Sequence, residues 1–140
     1  MLAPVSLFVD TSVWSLALRR DIPLACPEVL ALRRALENGE TLVTTGIVLQ
    51  ELLLGFSGAR AGDAIVERFR ALPYLAPDRR DHVDAALLRN LCRRHGVQLG
   101  TIDALLAQLC IHYDLTLLTT DHDFAHAAIH CPLKIWGTTP

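Results

Sequence analysis

Val5-Ser6-Leu7-Phe8-Val9-Asp10-Thr11-Ser12-Val13-Trp14 sets a short, nearly unbroken apolar run directly before a carboxylate. A strand buried on both faces reads this way, because helices covering a parallel sheet leave it no polar side. The pattern recurs in Leu115-Thr116-Leu117-Leu118-Thr119-Thr120, which ends on Asp121. Between and around these runs lie helical stretches. Ser12 reads as the N-cap of a helix through about Arg20, and Pro27 opens a second helix that Gly39 stops. After the strand Thr41-Leu42-Val43-Thr44, Thr45 caps a helix from about Gly46 to Leu54. Gly58 and Gly62 read as a flexible connection into a helix over roughly residues 63 to 72. Pro73 to Pro77 reads as extended, and a helix from about Arg80 to His95 is closed by Gly96. Thr101 reads as the cap of a helix ending near Tyr113, and Leu133 to Trp136 as a late strand. Strands alternating with helices predict an α/β fold, a three-layer α/β/α sandwich around a mostly parallel sheet. Ligands of such sheets bind beyond the carboxyl ends of the strands, where Asp10 and Asp121 both fall.

The chain has 140 residues, 51% of them hydrophobic, and a net charge of −2. That length suits one domain over residues 1–140 with a sizeable core. The apolar excess predicts surface left over for a partner or a second copy. No apolar stretch is long enough to span a bilayer. Met1-Leu2-Ala3-Pro4 lacks the basic start of a signal peptide. Cys26, Cys92, Cys110 and Cys131 form no CxxC pair, and Cys92 and Cys110 fall inside apolar helical patterns. A reducing cytoplasm is the expected location. Of the 13 basic residues only Lys134 is a lysine, and the arginines include the doublets Arg19-Arg20, Arg33-Arg34, Arg79-Arg80 and Arg93-Arg94. Doublets suit phosphate contacts and equally suit solvated helix ends.

Four carboxylates stand where charge is expensive. Asp10 and Asp121 follow apolar runs, Asp103 opens an apolar helix, and Glu51 has Ile47, Val48 and Leu54 as helical neighbours. A buried carboxylate needs a partner, yet no Lys or Arg lies within helical reach of Glu51 or beside Asp10 or Asp121. Taken singly, Asp103 could answer a helix dipole, Asp121 a turn and Asp10 a cap. One shared sheet edge is the simpler cause. Gathered carboxylates repel, which raises some pKa values, and a hard divalent cation removes that repulsion. Such a centre suits phosphoryl chemistry, because the metal lowers the pKa of a water and stabilises charge on the phosphorus and leaving oxygen.

The motifs, taken in order, resemble those of PIN-domain nucleases. Val9-Asp10-Thr11-Ser12-Val13-Trp14 resembles their opening, and Gln50-Glu51-Leu52-Leu53-Leu54-Gly55 their second acidic motif. Thr101-Ile102-Asp103-Ala104-Leu105-Leu106-Ala107 and Leu118-Thr119-Thr120-Asp121-His122-Asp123-Phe124 resemble the third and fourth. The compact length and Asp-Thr-Ser-Val-Trp opening are similar to VapC, the toxin of type II VapBC toxin–antitoxin modules. The resemblance implies an endoribonuclease dependent on Mg2+ or Mn2+. Asp10, Glu51, Asp103 and Asp121 would hold the metal, Asp10 and Asp103 most closely. Thr11 or Thr120 would hydrogen-bond a carboxylate or the attacking water, and Asp123 would be auxiliary. It further implies a homodimer, an RNA substrate and a VapB-type antitoxin. That antitoxin would lay an amphipathic segment in an apolar groove near the helices following Asp10 and Pro27.

Other classes fit less well. A dehalogenase-type phosphotransferase wants an acid two residues after Asp10, where Ser12 stands, and a receiver domain wants an acidic pair there. A non-catalytic RNA- or protein-binding module of the same fold is the remaining alternative. His122, His126 and His130 recur every four residues beside Cys131 and mimic a zinc face, although solvated histidines are the expectation. Trp14 and Trp136 read as core or interface.

Overall fold

The computed structural model describes residues 5–19, 26–56 and 58–138. Its elements run β1 (Leu7–Val9), α1 (Thr11–Leu18), α2 (Pro27–Glu37), β2 (Leu42–Thr45), α3 (Gly46–Gly55) and α4 (Ala59–Phe69). They continue with β3 (Tyr74–Leu75), α5 (Arg79–Arg94), α6 (Thr101–His112), β4 (Thr116–Leu118), α7 (His122–Ala128) and β5 (Lys134–Ile135). The strands form one sheet in the order β3-β2-β1-β4-β5, and every pairing is parallel. Leu7 pairs with both Leu42 and Thr116, so β1 is the central strand.

Connection direction decides the layers. From β1 the chain steps outward to β2 and then β3, crosses to β4 on the other side of β1, and continues to β5. Parallel crossovers are right-handed, so reversing the direction of travel reverses the covered face. Helices α1 to α4 therefore lie on one face and α5 to α7 on the other. The packing agrees: α1 touches α2 and α3, α3 touches α4, and α5 runs along α6. With both faces covered, β1 and β2 are buried at every position. Phe8, Val9, Leu117 and Leu118 are completely enclosed between the layers. Trp14 lies in the core against Phe69, with ring centroids 5.0 Å apart.

Several boundaries differ from the sequence reading. Asp10, not Ser12, occupies the N-cap position of α1, because the Ser12 hydroxyl is already bonded to Asp10 and to the Thr120 amide. Helix α1 ends at Leu18, and Arg20 lies outside the described residues. The cap position of α6 belongs to Gly100, and Thr101 is its first helical residue. Helix α4 starts at Ala59, four residues earlier than expected. Gly58 adopts φ +102°, a conformation that L side chains resist, and turns the chain straight into the helix. Gly62 consequently sits inside the first turns of α4. The expected Thr45 cap is present, its hydroxyl accepting from the Ile47 amide.

The reversal of chain direction falls between β1 and β4. Strands splay apart in connectivity there, and a crevice opens at their carboxyl ends. Both strands deliver a polar segment into it, Asp10-Thr11-Ser12 from β1 and Thr119-Thr120-Asp121 from β4.

Candidate functional site

Of the four carboxylates Asp10 alone is buried; Glu51, Asp103 and Asp121 are half-buried. Asp10 is fixed by hydroxyls. Ser12 Oγ and Thr119 Oγ1 each donate to Asp10 Oδ2 at 2.8 Å. Each hydroxyl in turn accepts a backbone amide from the β4 side: Thr120 N–H at Ser12 Oγ (3.2 Å) and Asp121 N–H at Thr119 Oγ1 (3.0 Å). The main chain adds a bond from the Asp10 amide to Leu118 O at 2.9 Å. Each hydroxyl thus donates to the carboxylate and accepts a main-chain amide, so the carboxylate is held in one orientation. Both hydroxyls use Oδ2, and Oδ1 accepts no hydrogen bond among the described residues.

Helices supply the other carboxylates. Glu51 lies in α3, where Thr11 Oγ1 donates to Glu51 Oε1 at 3.0 Å and ties α3 to the start of α1. Glu51 stands on a helix whose next turn carries Leu54, and Leu54 is 79% exposed. Its apolar sequence neighbours therefore do not bury it. Asp103 lies in the first turn of α6. A Cβ at Gly100 would be 3.7 Å from Asp103 Oδ2, so the loop before α6 borders this carboxylate with bare backbone. Asp121 caps α7 through Asp123 N–H at 2.9 Å, and Asp123 is exposed beside it.

One electrostatic consequence shows that these groups share a space. The Asp103 carboxyl is pushed up to about 6, first by burial, then by the charges of Asp10, Asp121, Glu51 and Asp123 in that order. Among the described residues none of these five carboxylates forms an ion pair. The repulsion is therefore unrelieved by any protein cation there.

The donor set is all oxygen, which suits Mg2+ or Mn2+ over softer metals. Among the described residues no three His, Cys, Asp or Glu side chains stand in a ready-made cage. Magnesium needs none, since it keeps several waters and takes one or two carboxylates. Asp10, through Oδ1, and Asp103 could supply those, with Glu51 and Asp121 as further donors.

Two participants were missed from sequence. Of the two hydroxyls expected to help, Thr11 bonds the Glu51 carboxylate, whereas the Thr120 side chain makes no hydrogen bond among the described residues and only its amide contributes; the hydroxyl on Asp10 from this segment is that of Thr119. Ser12, expected as a helix cap, serves the carboxylate instead. The Ser and Thr flanking each Asp were the available signal, but their orientation depends on the β1–β4 pairing. Asp81, not singled out, is the more deeply buried carboxylate. It closes a capping box with Asp78 and meets His112 Nδ1 at 2.7 Å, far along α5 from the acidic pocket. Among the described residues the histidines do not gather into a metal-holding group: His122 and His126 are exposed, and His130 stacks on His95 at 4.2 Å.

A parallel α/β sheet with a carboxylate-lined crevice at its switch point defines a class of α/β proteins that bind ligands beyond the carboxyl ends of the strands. The PIN domain family profile matches residues 7–129. The chain is 35% identical over 92 residues to ribonuclease VapC23 of Mycobacterium tuberculosis, covering 64% of this chain and 71% of that protein. The fold is similar to VapBC2 from Rickettsia felis (TM-score 0.72, 18% identity, 94% of this chain and 97% of that one). It is also similar to Mycobacterium tuberculosis VapC20, a sarcin-ricin loop cleaving toxin (TM-score 0.66, 20% identity, 87% and 95%). The chain belongs to the PIN domain family, and its resemblance within that family is to VapC proteins.

Proposed function

We propose that this protein is a metal-dependent endoribonuclease and the toxin of a type II toxin–antitoxin module, acting in the cytoplasm. The observation that carries the reading is the convergence of four other carboxylates on Asp103, whose pKa rises to about 6. The similarity to ribonuclease VapC23 supports RNA as the substrate. Asp10, Asp103, Glu51 and Asp121 hold Mg2+ or Mn2+, which when bound supplies an activated water and neutralises charge on the phosphodiester. Ser12 and Thr119 keep Asp10 in the orientation that presents Oδ1, and Thr11 does the same for Glu51.

The partners follow from surfaces. A cavity of about 710 Å3 lies between the end of α1, the end of α3 and α4, with Ala17, Leu18, Phe56 and Ile65 on its walls. The antitoxin lays an amphipathic helix there by groove binding. Helix α1 was the expected wall; the opposite wall is α4 rather than α2. VapBC assemblies among the structural neighbours support a VapB-type partner. Val83 and Leu87, exposed on α5, supply an apolar face for a homodimer.

The test is cleavage of single-stranded RNA with Mg2+ or Mn2+ and its loss in EDTA. Cleavage that persists in chelator excludes the metal mechanism, and RNA binding without cleavage in metal returns the protein to the class of binding modules.

A further inference from the structure

A polyanion approaching five carboxylates on a chain of net charge −2 needs positive charge placed beside them. Helix α5 supplies it in one place. Arg89 and Arg93 stand one turn apart on the same face of α5 and line a cleft of about 500 Å3 together with Gln98, Gly100 and Asp123. Gly100 borders Asp103, and Asp123 follows Asp121, so the cleft opens onto the acidic pocket along the loop before α6. A second cavity of about 450 Å3 shares Val97, Gln98 and Asp123 and extends the trough toward His126 and His130.

Arg89 and Arg93 are free of ion pairs among the described residues, as are several other arginines, but these two line the cleft beside the acidic pocket. Among the described residues the ion pairs use Arg70, Arg80, His112 and Lys134, and neither Arg89 nor Arg93 has a carboxylate partner. Arg89 is also oriented: its Nε donates to Leu99 O at 2.9 Å, which leaves the two terminal amino groups for a ligand. A guanidinium held by its Nε presents a planar fork suited to phosphate oxygens. The doublet Arg93-Arg94 is divided by the helix, since Arg94 lines a different cavity beside Leu87 and Leu91. Arg93 thus works with Arg89 across a turn and not with its sequence neighbour.

We propose that Arg89 and Arg93 form a phosphate subsite that holds the RNA backbone next to the cleaved bond, with Gln98 lining the same trough. This rests on the nuclease reading. The subsite binds substrate and takes no part in bond breaking.

The experiment measures binding of a fluorescein-labelled single-stranded RNA to the full chain in EDTA across a salt series, and cleavage of the same RNA in Mg2+. Arg93→Gln should weaken binding, raise KM more than it lowers kcat, and lower the slope of log affinity against log salt by about 0.7, the value for one phosphate contact on a single strand. Arg93→Lys should recover most of that slope, because it restores the charge. Arg89→Gln should act in the same direction, and a thermal melt reports any loss of the Leu99 anchor. Arg33→Gln, on α2 away from the cleft, should match the wild type. If Arg93→Gln keeps the wild-type slope and KM, the subsite is overturned while the nuclease reading stands. If it lowers kcat alone, a structural effect replaces the subsite. A wild type that neither binds nor cleaves RNA removes both readings together.

Discussion

Thr119 Oγ1 donates to Asp10 Oδ2 at 2.8 Å across 109 positions of sequence, and the same hydroxyl accepts the Asp121 amide. One side chain therefore locks the carboxyl ends of β1 and β4 together and fixes the carboxylate at the crevice. Partners of this kind typically matter by ~10–100-fold in metal affinity or activity. Thr119→Val keeps the shape and removes the donor, so RNA cleavage should fall by roughly that factor. Thr120→Val should have much less effect, since that side chain bonds nothing among the described residues. Cleavage assays on the two variants side by side decide between the neighbouring threonines.

Asp103→Asn keeps volume and removes charge. Cleavage should fall at least ~100-fold, the scale for losing a preorganised electrostatic element. Wild-type activity should decline as pH falls below about 6, where Asp103 keeps its proton. The metal-free fold shows the opposite trend. Its folded pKa lies above the unfolded value of 3.8, so the folded state binds more protons between those values and stability drops as pH rises through that window. Asp103→Asn should flatten that dependence in thermal melts and raise the neutral-pH melting temperature of the metal-free protein. A variant that melts lower at neutral pH would place Asp103 in a structural role.

Glu51→Ala and Thr11→Val test whether α3 serves the same centre. Both should weaken Mn2+ binding in calorimetric titration, Glu51→Ala more, because Thr11 acts only by orienting the carboxylate. Melting temperatures should change little, as Glu51 is half-buried and forms no ion pair among the described residues. Unchanged Mn2+ affinity in both would detach Glu51 from the site.

Asp81 offers the contrasting case of a carboxylate that holds structure. Burial opposes its charge, but the Asp78 amide and His112 outweigh burial and hold its pKa below 3.8. Its contribution to stability is present above the unfolded pKa and is lost as pH falls through the lower folded one. Asp81→Ala strips the capping box from α5 and should cost about 1–3 kcal/mol. Metal affinity should stay at the wild-type value. Chemical denaturation near neutral pH, paired with Mn2+ titration, checks both halves.

The groove between α1 and α4 predicts the inhibitor's footprint. Ala61→Glu places a charge among Leu18, Phe56 and Ile65. Coexpressed antitoxin should then relieve growth arrest poorly, and arrest itself should disappear with Asp10→Asn. Sedimentation should find the isolated chain dimeric, with at least the roughly 1,200 Å2 of buried area that specific interfaces need.

The sheet, its parallel sense and the ends of most helices were legible from local pattern. Runs such as Leu7-Phe8-Val9, buried on both faces, admit few other readings, and Pro27, Gly39 and Gly96 punctuate by backbone preference alone. The acidic residues were legible too, because a carboxylate at the end of an apolar run conflicts with its surroundings and draws notice. Legibility failed where two segments distant in sequence compete for one hydroxyl. Ser12 has the composition of a cap, and nothing local reveals that Asp10 and the Thr120 amide claim it. Gly62 reads as a breaker until Gly58, at φ +102°, is seen to have made the turn already.

The sequence by itself determined the element types, the burial of β1 and β4, and the identity of the carboxylates, since these depend on residues a few positions apart. Only the tertiary structure decided that Thr119 rather than Thr120 holds Asp10, that Asp81 pairs with His112, and that Arg93 joins Arg89 instead of Arg94. Each of these turns on which strand lies beside β1 or which face of α5 meets the loop before α6. Hydrogen bonds and charge forks act over about 3 Å, so they are set by the register and rotation of packed elements, and that information appears only when the chain closes on itself.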